Sequence, residues 1–288
     1  MPQAETRITK VGIVGTGTMG GDLSRCCAQY GYQALMRGRT AKSVARALER
    51  IKASLARGVA SEKLSAEAEQ AVLANLKGVT TLEELADCDL IIESIIEDMG
   101  EKKKLFAALD RLCPPHTIFG TNTSTLPIVE MAVATQQPDR VLGIHFTTPA
   151  YATRFCEVIR THLTSEETAR IAEQFVVSIG KTIIRAKDSP GFILNRILVP
   201  YCMEAVRSLE AGVGTRDDID TAMKLGMGWQ YGPFESMDWI GLDIIYRCAE
   251  VLFEEFKDSR FAPPPLLKRM VLAGHLGRKT GKGFYDYT

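Results

Sequence analysis

A glycine-rich turn near the N-terminus constrains the fold of this 288-residue chain more than any other feature. Residues 15–20 read G-T-G-T-M-G, the pattern G-x-G-x-x-G, and they follow an apolar run at residues 11–14. A helix-like segment at residues 22–30 and a strand-like run at residues 33–37 come next. This order is typical of a dinucleotide-binding unit, whose pyrophosphate sits on the N-terminus of the helix. The residues of this turn that are predicted to contact the cofactor are Gly15, Gly17, Thr18, Met19 and Gly20.

The residues after the second strand indicate which dinucleotide is bound. Folds that prefer NAD usually place an acidic residue about 20 positions after the turn, where it holds the ribose 2′-hydroxyl. This chain has Gly38 there, flanked by Arg37 and Arg39 and followed by Thr40. Guanidinium and hydroxyl groups attract a 2′-phosphate, whereas a carboxylate would repel it. We therefore predict NADP as the cofactor, with NAD as the alternative. In the competing interpretation, Arg37 and Arg39 belong to a solvated loop.

The composition excludes several classes of function. Lys+Arg and Asp+Glu number 35 each, so the net charge does not indicate a nucleic acid or a membrane as a partner. The first ten residues lack the apolar core of a signal peptide, and no apolar run is long enough to span a membrane. The seven cysteines are scattered, and no His/Cys group has metal-ligand spacing. We expect a cytoplasmic protein with buried thiols and no metal.

The order of the predicted elements indicates an α/β fold class. Up to residue 189, strand-like and helix-like segments alternate, which is typical of a doubly wound, mostly parallel sheet. Beyond the break at Ser189-Pro190-Gly191 the segments are helical. We predict a Rossmann-type dinucleotide-binding domain at residues 1–189 and an all-helical C-terminal domain at residues 190–288. Further strands are predicted at residues 89–94, 117–121, 141–146, 155–160 and 182–186. Helices are predicted at residues 41–57, 65–76, 102–112, 165–178, 192–209, 216–225, 233–257 and 264–273. A further short helix is predicted to begin at Pro127. Pro200 is expected to kink or reset the helix that contains it, and Gly241 is expected to form a joint within the helical region at residues 233–257.

Three polar residues lie where active-site groups are expected, and two of them, Ser124 and His145, are near the carboxyl ends of strands, where such a sheet binds its ligands. Ser124 follows the strand at residues 117–121, His145 ends the next strand, and Glu157 lies on the one after that. Oxidation of a hydroxyl to a carbonyl needs a base, and histidine suits this task because its ordinary pKa is about 6.5. A neighbouring carboxylate would orient the ring, and a serine would hydrogen-bond the reacting oxygen. Taken singly, each residue also has a structural interpretation, as a satisfied strand-end histidine, an exposed edge-strand glutamate and a helix-capping serine.

These residues occur within a set of motifs that resembles the short-chain L-3-hydroxyacyl-CoA dehydrogenases, including bacterial 3-hydroxybutyryl-CoA dehydrogenases. The resemblance covers nearly the whole chain, and its motifs are highly specific in this order. It implies that His145 is the catalytic base paired with Glu157. It also implies that Ser124 contacts the substrate hydroxyl and that Asn195 contacts the acyl carbonyl. The motifs are residues 15–20, 121–124, 143–146, 157–159, 188–196, 232–234 with Asp238, and 281–285.

The resemblance extends to the binding of CoA and to assembly. It implies that CoA lies over a helical arm carrying Ser54 and Arg57, and that the helical domain binds substrate and forms a homodimer. Glu97, Lys102 and Asn122 complete the set of predicted cofactor contacts. Two interpretations of the basic run at residues 102–104 stay open: a solvated helix face, or a place for the phosphates or the adenine ribose of a ligand.

Two positions depart from the family pattern. The family usually has an acidic residue at the position of Gly38, and an asparagine where this chain has Thr148. Arg154, in the unusual segment at residues 151–155, is either a surface residue or holds an anionic group of a substrate other than an acyl-CoA. We predict an NADP-linked 3-hydroxyacyl-CoA dehydrogenase of fatty acid metabolism that acts on short acyl chains. The alternatives are a dehydrogenase of a non-CoA hydroxy acid or alcohol on the same scaffold, and a non-catalytic dinucleotide-binding protein.

Overall fold

The computed structural model describes residues 8–287, which divide into two units. The first unit comprises residues 8–123 and 127–188, and the second comprises residues 124–126 and 189–287. The first is a sheet with flanking helices and the second is helical, so the predicted fold class is confirmed. None of the helices in the described range combines the length and the apolar character that crossing a membrane requires.

Eight strands of the described residues form one sheet in the first unit. They are β1 (Lys10–Val14), β2 (Gln33–Arg37), β3 (Leu76–Val79), β4 (Leu90–Glu93), β5 (Ile118–Thr121), β6 (Val141–His145), β7 (Phe155–Arg160) and β8 (Thr182–Lys187). Their order is β3-β2-β1-β4-β5-β6-β7-β8, and all neighbours are parallel except β6 and β7. Because β2 lies on one side of β1 and β4 on the other, the switch point at which such sheets bind ligands falls at the end of β1.

Within residues 8–188 the strands are connected by six α-helices. They are α1 (Thr18–Gln29), α2 (Ala41–Ala60), α3 (Ala66–Ala74), α4 (Met99–Leu112), α5 (Ile128–Ala132) and α6 (Glu166–Ser178). Four of them begin where a polar side chain accepts a backbone N–H of the first turn. These N-cap residues are Thr40, Ser65, Asp98 and Ser165. Strands β4, β5 and β6 are buried along their whole length, as expected for strands in the middle of a parallel sheet.

Between residues 189 and 287 the chain forms five α-helices. They are α7 (Leu194–Glu210), α8 (Arg216–Met227), α9 (Pro233–Ile240), α10 (Leu242–Phe256) and α11 (Pro265–Leu272). Gly241 separates α9 from α10 with a φ of 112°, so the predicted joint is confirmed. Helix α7 passes through Pro200 without a break, so a reset of the helix at this proline is wrong, whereas a kink stays a prediction. Val199 and Cys202 on either side of this proline are buried in the apolar core of the unit, which holds the helix together there.

The structure differs most from the sequence prediction at β3. A helix was expected over residues 65–76, whereas α3 ends at Ala74 and Leu76–Val79 forms an edge strand. A strand of four residues containing Lys77 and Gly78 is too short to show a recognisable alternation. Gly78 is required by packing, because an added Cβ would lie 2.2 Å from Cγ1 of Val44 on α2.

A buried carboxylate holds the C-terminal segment against α9. Asp238 is 1% exposed and accepts hydrogen bonds from the backbone N–H groups of Phe284 and Tyr285 at 2.8 and 2.9 Å, and from the hydroxyl of Tyr287 at 3.0 Å. Gly283 permits this close approach, since an added Cβ would lie 1.9 Å from Oδ1 of Asp238. The motif at residues 281–285 therefore has a structural role in the second unit.

Replacing Gly283 with alanine is expected to destabilise the second unit. The added methyl group would displace Asp238 and leave buried polar groups without partners, at a cost of about 2–4 kcal/mol. Urea unfolding measures this change. Gly226→Ala in α8 is the control, because its Cβ meets nothing within 4 Å in the described structure and alanine favours a helix by up to about 1 kcal/mol. A free energy of unfolding for Gly283→Ala equal to that of the wild type would contradict this role.

Candidate active site

The glycine turn joins β1 to α1, and its three glycines meet different steric requirements. Gly15 has a φ of 138°, and an added Cβ would lie 2.2 Å from the carbonyl oxygen of Ser94. Gly20 is packed as closely, because its Cβ would lie 2.2 Å from the carbonyl oxygen of Gly15. At Gly17, by contrast, a Cβ would meet nothing within 4 Å among the described residues. The space over Gly17 is therefore open to a ligand.

The N-terminus of α1 is arranged to bind an anion. Gly17 is its N-cap and has no side chain to satisfy the N–H groups of the first turn, which contains no acidic residue. Arg50 of α2 donates to the carbonyl oxygens of Thr16 and Gly17 at 2.6 and 3.3 Å, which adds a positive charge beside the turn. Backbone N–H groups and the dipole at a helix N-terminus favour phosphate groups, so this geometry fits a pyrophosphate. Sequence analysis did not identify Arg50, because it lies in the middle of α2, 34 residues after Thr16.

A cavity of about 850 Å³ extends from the glycine turn over the end of β2. The structure brings Gly15 and Gly17 together there with the predicted residues Arg37, Arg39 and Thr40. Its size suits the adenosine half of a dinucleotide. Residues that sequence analysis did not assign to the cofactor also line it, and they come from separate segments with no common spacing. They are Val14, Thr16, Gly38, Ser43, Leu82, Ser94, Ile95, Ile96, Glu101, Lys104, Leu105 and Ala108.

Two guanidinium groups lie at the end of β2. Nε of Arg37 donates to the carbonyl oxygen of Thr80 at 3.3 Å. Burial, together with the positive charge of Arg39, lowers the pKa of Arg37 from its ordinary value. Arg39 itself is exposed. One of the two arginines is therefore held by the protein, while the other is accessible to a ligand in the cavity.

The cap of α2 leaves no room for an acidic residue at Gly38. The hydroxyl oxygen of Thr40 accepts the backbone N–H of Ser43 at 3.1 Å, and Oγ of Ser43 donates to the carbonyl oxygen of Thr40 at 2.8 Å. An added Cβ at Gly38 would lie 2.6 Å from Oγ of Ser43. A carboxylate at residue 38 would therefore disrupt the cap. Thr40 can still offer its hydroxyl proton to a phosphate.

Strands β6 and β7 bring His145 and Glu157 face to face. The strands are antiparallel, and the two residues are directly opposite in register. Nδ1 of His145 lies 2.7 Å from Oε2 of Glu157, and the residues are only 3% and 1% exposed. An ionised carboxylate only accepts hydrogen bonds, so Nδ1 carries the proton and Nε2 is the nitrogen that can exchange a proton with a ligand. The interpretation of Glu157 as an exposed edge residue is wrong.

A second buried cluster lies at the ends of β4 and β5. Nζ of Lys102 lies 2.6 Å from Oε1 of Glu93 and 3.2 Å from Oε2 of Glu97. The hydroxyl groups of Thr121 and Thr123 donate to Glu93 and Glu97 at 2.7 and 2.5 Å. Buried charges require such additional hydrogen bonds, since their attraction alone does not offset desolvation. Lys102 is almost wholly buried, so the interpretation of the basic run as a solvated face is wrong for this residue.

Two residues of the sequence motifs have structural contacts within the first unit. Oδ1 of Asn122 accepts the backbone N–H of Phe146 at 2.8 Å, which fixes the chain immediately after β6. The carboxylate of Asp188 accepts the backbone N–H groups of Ile128 and Val129 at 3.0 and 2.8 Å, which caps α5. A cofactor contact of Asn122 stays a prediction.

Comparison with known proteins identifies the family of this chain. A model of the NAD-binding domain of 3-hydroxyacyl-CoA dehydrogenases matches residues 10–189, and a model of the C-terminal domain of the same enzymes matches residues 191–287. The chain belongs to the 3-hydroxyacyl-CoA dehydrogenase family. A 3-hydroxybutyryl-CoA dehydrogenase of Mycobacterium tuberculosis is 39% identical over 282 residues, which are 97% of this chain and 99% of that protein.

Solved structures with the same fold include a protein from M. tuberculosis and a diketoreductase. The crystal structure of M. tuberculosis FadB2 has a TM-score of 0.96 and 39% identity, and the match covers 98% of this chain and 100% of that one. A diketoreductase described as acting on dicarbonyl compounds has a TM-score of 0.85 and 30% identity, with 98% and 99% covered. The same scaffold therefore occurs in proteins named for different carbonyl substrates.

In this member of the dehydrogenase family, Arg25 connects α1 to the arm predicted to carry CoA. Its Nη1 donates to Oγ of Ser54 at 2.7 Å, and its guanidinium carbon lies 3.8 Å from the centroid of the Tyr151 ring. Burial raises the pKa of nearby Asp22 to about 6, and the positive charge of Arg25 opposes this rise. Arg57 is exposed one turn after Ser54 on α2. CoA contacts of Ser54 and Arg57 stay predictions.

The remaining residues predicted for the dehydrogenase site lie in different elements. Ser124 and Asn195 belong to the second unit, and Asn195 is in the first turn of α7. Thr18 and Met19 begin α1, and Sδ of Met19 accepts the hydroxyl of Thr148 at 2.8 Å. Thr148, which stands where the family usually has asparagine, therefore links the loop after β6 to the glycine turn. The chemical roles of these residues stay predictions.

Proposed function

We propose that this chain is a 3-hydroxyacyl-CoA dehydrogenase that moves a hydride between NADP(H) and C3 of a short-chain 3-hydroxyacyl-CoA or 3-oxoacyl-CoA. The observation that carries the proposal is the buried pair of His145 and Glu157, an acid–base group held in one orientation by a carboxylate. The 39% identity to a protein named 3-hydroxybutyryl-CoA dehydrogenase supports the substrate class. Consumption of NADPH and NADH with acetoacetyl-CoA, followed by absorbance, tests it. Absence of consumption with both cofactors would contradict it.

The first unit fits a nicotinamide dinucleotide. The open space over Gly17 and the N-terminus of α1 suit the pyrophosphate, and the cavity at the end of β2 suits the adenosine half. Ligands of these sheets extend across the carboxyl ends of the strands on both sides of the switch point. We therefore assign Glu97 and Asn122, which follow β4 and β5, to the other half of the cofactor, and we propose that the buried Lys102 of α4 holds Glu97 in place there. When bound, the cofactor supplies or accepts the hydride at C3.

His145 handles the proton that accompanies the hydride. During reduction the C3 oxygen gains negative charge, and the protonated Nε2 of His145 donates a proton to it. During oxidation the neutral Nε2 accepts the proton of the C3 hydroxyl. Glu157 holds Nδ1–H in both directions, and its charge stabilises the imidazolium that forms during oxidation. Burial strengthens this attraction, because the surroundings have a lower dielectric constant than water.

Four further residues are proposed to contact the substrate. Ser124 would hydrogen-bond the reacting oxygen, and the side-chain amide of Asn195 would donate to the acyl carbonyl beside the thioester. Ser54 and Arg57 would contact CoA along α2. The exposed guanidinium of Arg57 suits a phosphate of CoA, and Ser54 is already oriented by Arg25.

A second candidate function is the reduction of a carbonyl compound that is not a CoA ester. The similarity to a diketoreductase favours it, because that protein shares nearly the whole length of this chain. Such an enzyme would use His145 and Glu157 in the same way but would not need the CoA arm. Comparing kcat/KM for acetoacetyl-CoA with that for ethyl acetoacetate decides between the two. A higher value for the ester without CoA would favour the second candidate.

Replacing His145 with glutamine is expected to lower kcat by about 10²–10⁴-fold, the usual contribution of a positioned acid–base group. Binding of NADPH, measured by fluorescence titration, should stay unchanged because glutamine preserves the size of the residue. Glu157→Gln should also lower kcat, since the imidazole loses the charge that orients and stabilises it. His162→Gln is the matched control, because His162 is exposed.

The double variant shows whether His145 and Glu157 act as one unit. If they do, the loss of kcat in the double variant is smaller than the product of the two single losses. If the His145→Gln variant keeps a near-normal kcat, His145 is not the base. Losses that multiply fully would mean that the two residues act independently.

We further propose that the cofactor site selects NADPH over NADH. Arg39 and Thr40 offer charged and neutral donors to a 2′-phosphate, and Gly38 leaves the ribose of NADH without an acceptor. We expect kcat/KM for NADPH to exceed that for NADH by at least about tenfold at low salt. Arg39→Leu should remove most of this difference, whereas Arg170→Leu, an exposed arginine on α6, should leave it. Equal values for the two cofactors in the wild type would show that the exposed Arg39 is only a solvated loop residue.

The second unit is also proposed to form a homodimer. Within residues 8–287, ten of the fifteen exposed large hydrophobic side chains belong to this smaller unit. They include Val213 and Leu225, which are 77% and 81% exposed. A concentration of exposed apolar surface of this kind marks an interface between protein chains.

Sedimentation velocity at micromolar concentration is expected to show a dimer. Leu225→Asp should shift the protein toward monomer, because a charge would be placed in the apolar contact. Val177→Asp, an exposed apolar residue of the first unit, is the control and should leave the dimer intact. A wild-type protein that sediments as a monomer would contradict the proposed interface.

A further inference from the structure

The three lysines at residues 102–104 lie in three different environments. Lys102 is buried in ion pairs with two glutamates. Lys103 lies 3.7 Å from Glu130 and is absent from the cavity lining. Lys104 lines the same cavity as the two arginines at the end of β2. Although the sequence presents one basic run, only its third member faces this cavity in the described structure.

Lys104 adds a positive charge to the cavity, and Glu101 restrains it. Nζ of Lys104 lies 3.0 Å from Oε1 of Glu101, and the two side chains are 78% and 47% exposed. Lysine is cationic at neutral pH, and this carboxylate raises the pKa of Lys104 further above its ordinary value. An exposed ion pair contributes little, so Lys104 can exchange Glu101 for a phosphate at small cost. Glu101 also lines the cavity, where its negative charge opposes an anion.

The charges that line the cavity exceed what the adenosine half of NAD requires. The cationic residues are Arg37, Arg39 and Lys104, and the one acidic residue among the described lining is Glu101. The pyrophosphate is already matched by the N-terminus of α1 and by Arg50. A surplus of positive charge in a cleft attracts a further anion, and in NADP that anion is the 2′-phosphate of the adenosine ribose.

We infer that Lys104 is a specificity-determining residue that holds the adenosine 2′-phosphate together with Arg39, and that Glu101 weakens this contact. The two cations come from α4 and from the loop after β2, so they can approach a phosphate from different elements. This inference rests on the proposed preference for NADPH and names a second element that produces it. It also predicts that the negative charge of Glu101 weakens binding of the 2′-phosphate, so that neutralising Glu101 should strengthen this binding.

Calorimetric titration with 2′,5′-ADP and with 5′-AMP tests the inference without turnover. The ratio of the two dissociation constants isolates the 2′-phosphate, because the nucleotides otherwise match. At low salt, Lys104→Gln should reduce the preference for 2′,5′-ADP by about three- to tenfold. Glu101→Gln should increase it by about two- to fivefold, since it removes a repulsive charge. Lys103→Gln makes the same charge change one residue away and should leave the ratio unchanged.

Each outcome decides the inference. If the wild type prefers 2′,5′-ADP but Lys104→Gln retains the wild-type ratio, the inference is wrong while the preference for NADPH stands. An equal reduction in Lys103→Gln would reveal a non-specific effect of charge and would overturn it as well. If the wild type binds both nucleotides equally, the preference for NADPH fails and the inference fails with it. Melting temperatures of the three variants within about 2 °C of the wild type exclude misfolding as the cause.

Discussion

The antiparallel pairing of β6 with β7 is the constraint on which the proposed chemistry depends. In a sheet whose other neighbours are parallel, this reversal places Glu157 of β7 directly opposite His145 at the end of β6. Both side chains are buried, and the contact between them gives each a polar partner away from water. Strand β8 pairs with the other side of β7 and keeps Glu157 from a sheet edge. The orientation of the imidazole is therefore set by strand register, which is more precise than a loop.

The glycine turn meets a complementary requirement, because a charged dinucleotide has to approach the backbone closely. Nearby carbonyl oxygens exclude any residue with a Cβ from positions 15 and 20, whereas Gly17 faces open space. Two of the three glycines thus shape the protein, and the third leaves room for the ligand. The nearby cationic residues also differ in role. Arg50 hydrogen-bonds the backbone of the turn, whereas Arg39 and Lys104 line the cavity at the end of β2.

The sequence predicted the fold well because apolar periodicity and capping residues specify local structure, but it did not specify which side chains face a cavity. The alternation up to residue 189 predicted the doubly wound sheet. Of the eight strands in the described residues only β3 was missed, because four residues that include Gly78 carry no periodic signal. Spacing placed His145 and Glu157 on successive strands, but the register that makes them opposite appears only in the sheet. Three adjacent lysines cannot be distinguished in a sequence, yet the geometry of α4 buries Lys102 and leaves Lys104 in the cavity.

Nitrogen NMR of the histidine side chains tests most directly whether Glu157 fixes the proton on Nδ1 of His145. The chain has four histidines, so a sample labelled with ¹⁵N-histidine gives a spectrum simple enough to assign with His145→Gln. The pairing at 2.7 Å predicts a proton on Nδ1 of His145 at neutral pH, and its loss or redistribution in Glu157→Gln. A wild-type His145 protonated only at Nε2, or a spectrum unchanged in Glu157→Gln, would contradict the role of the pair in catalysis.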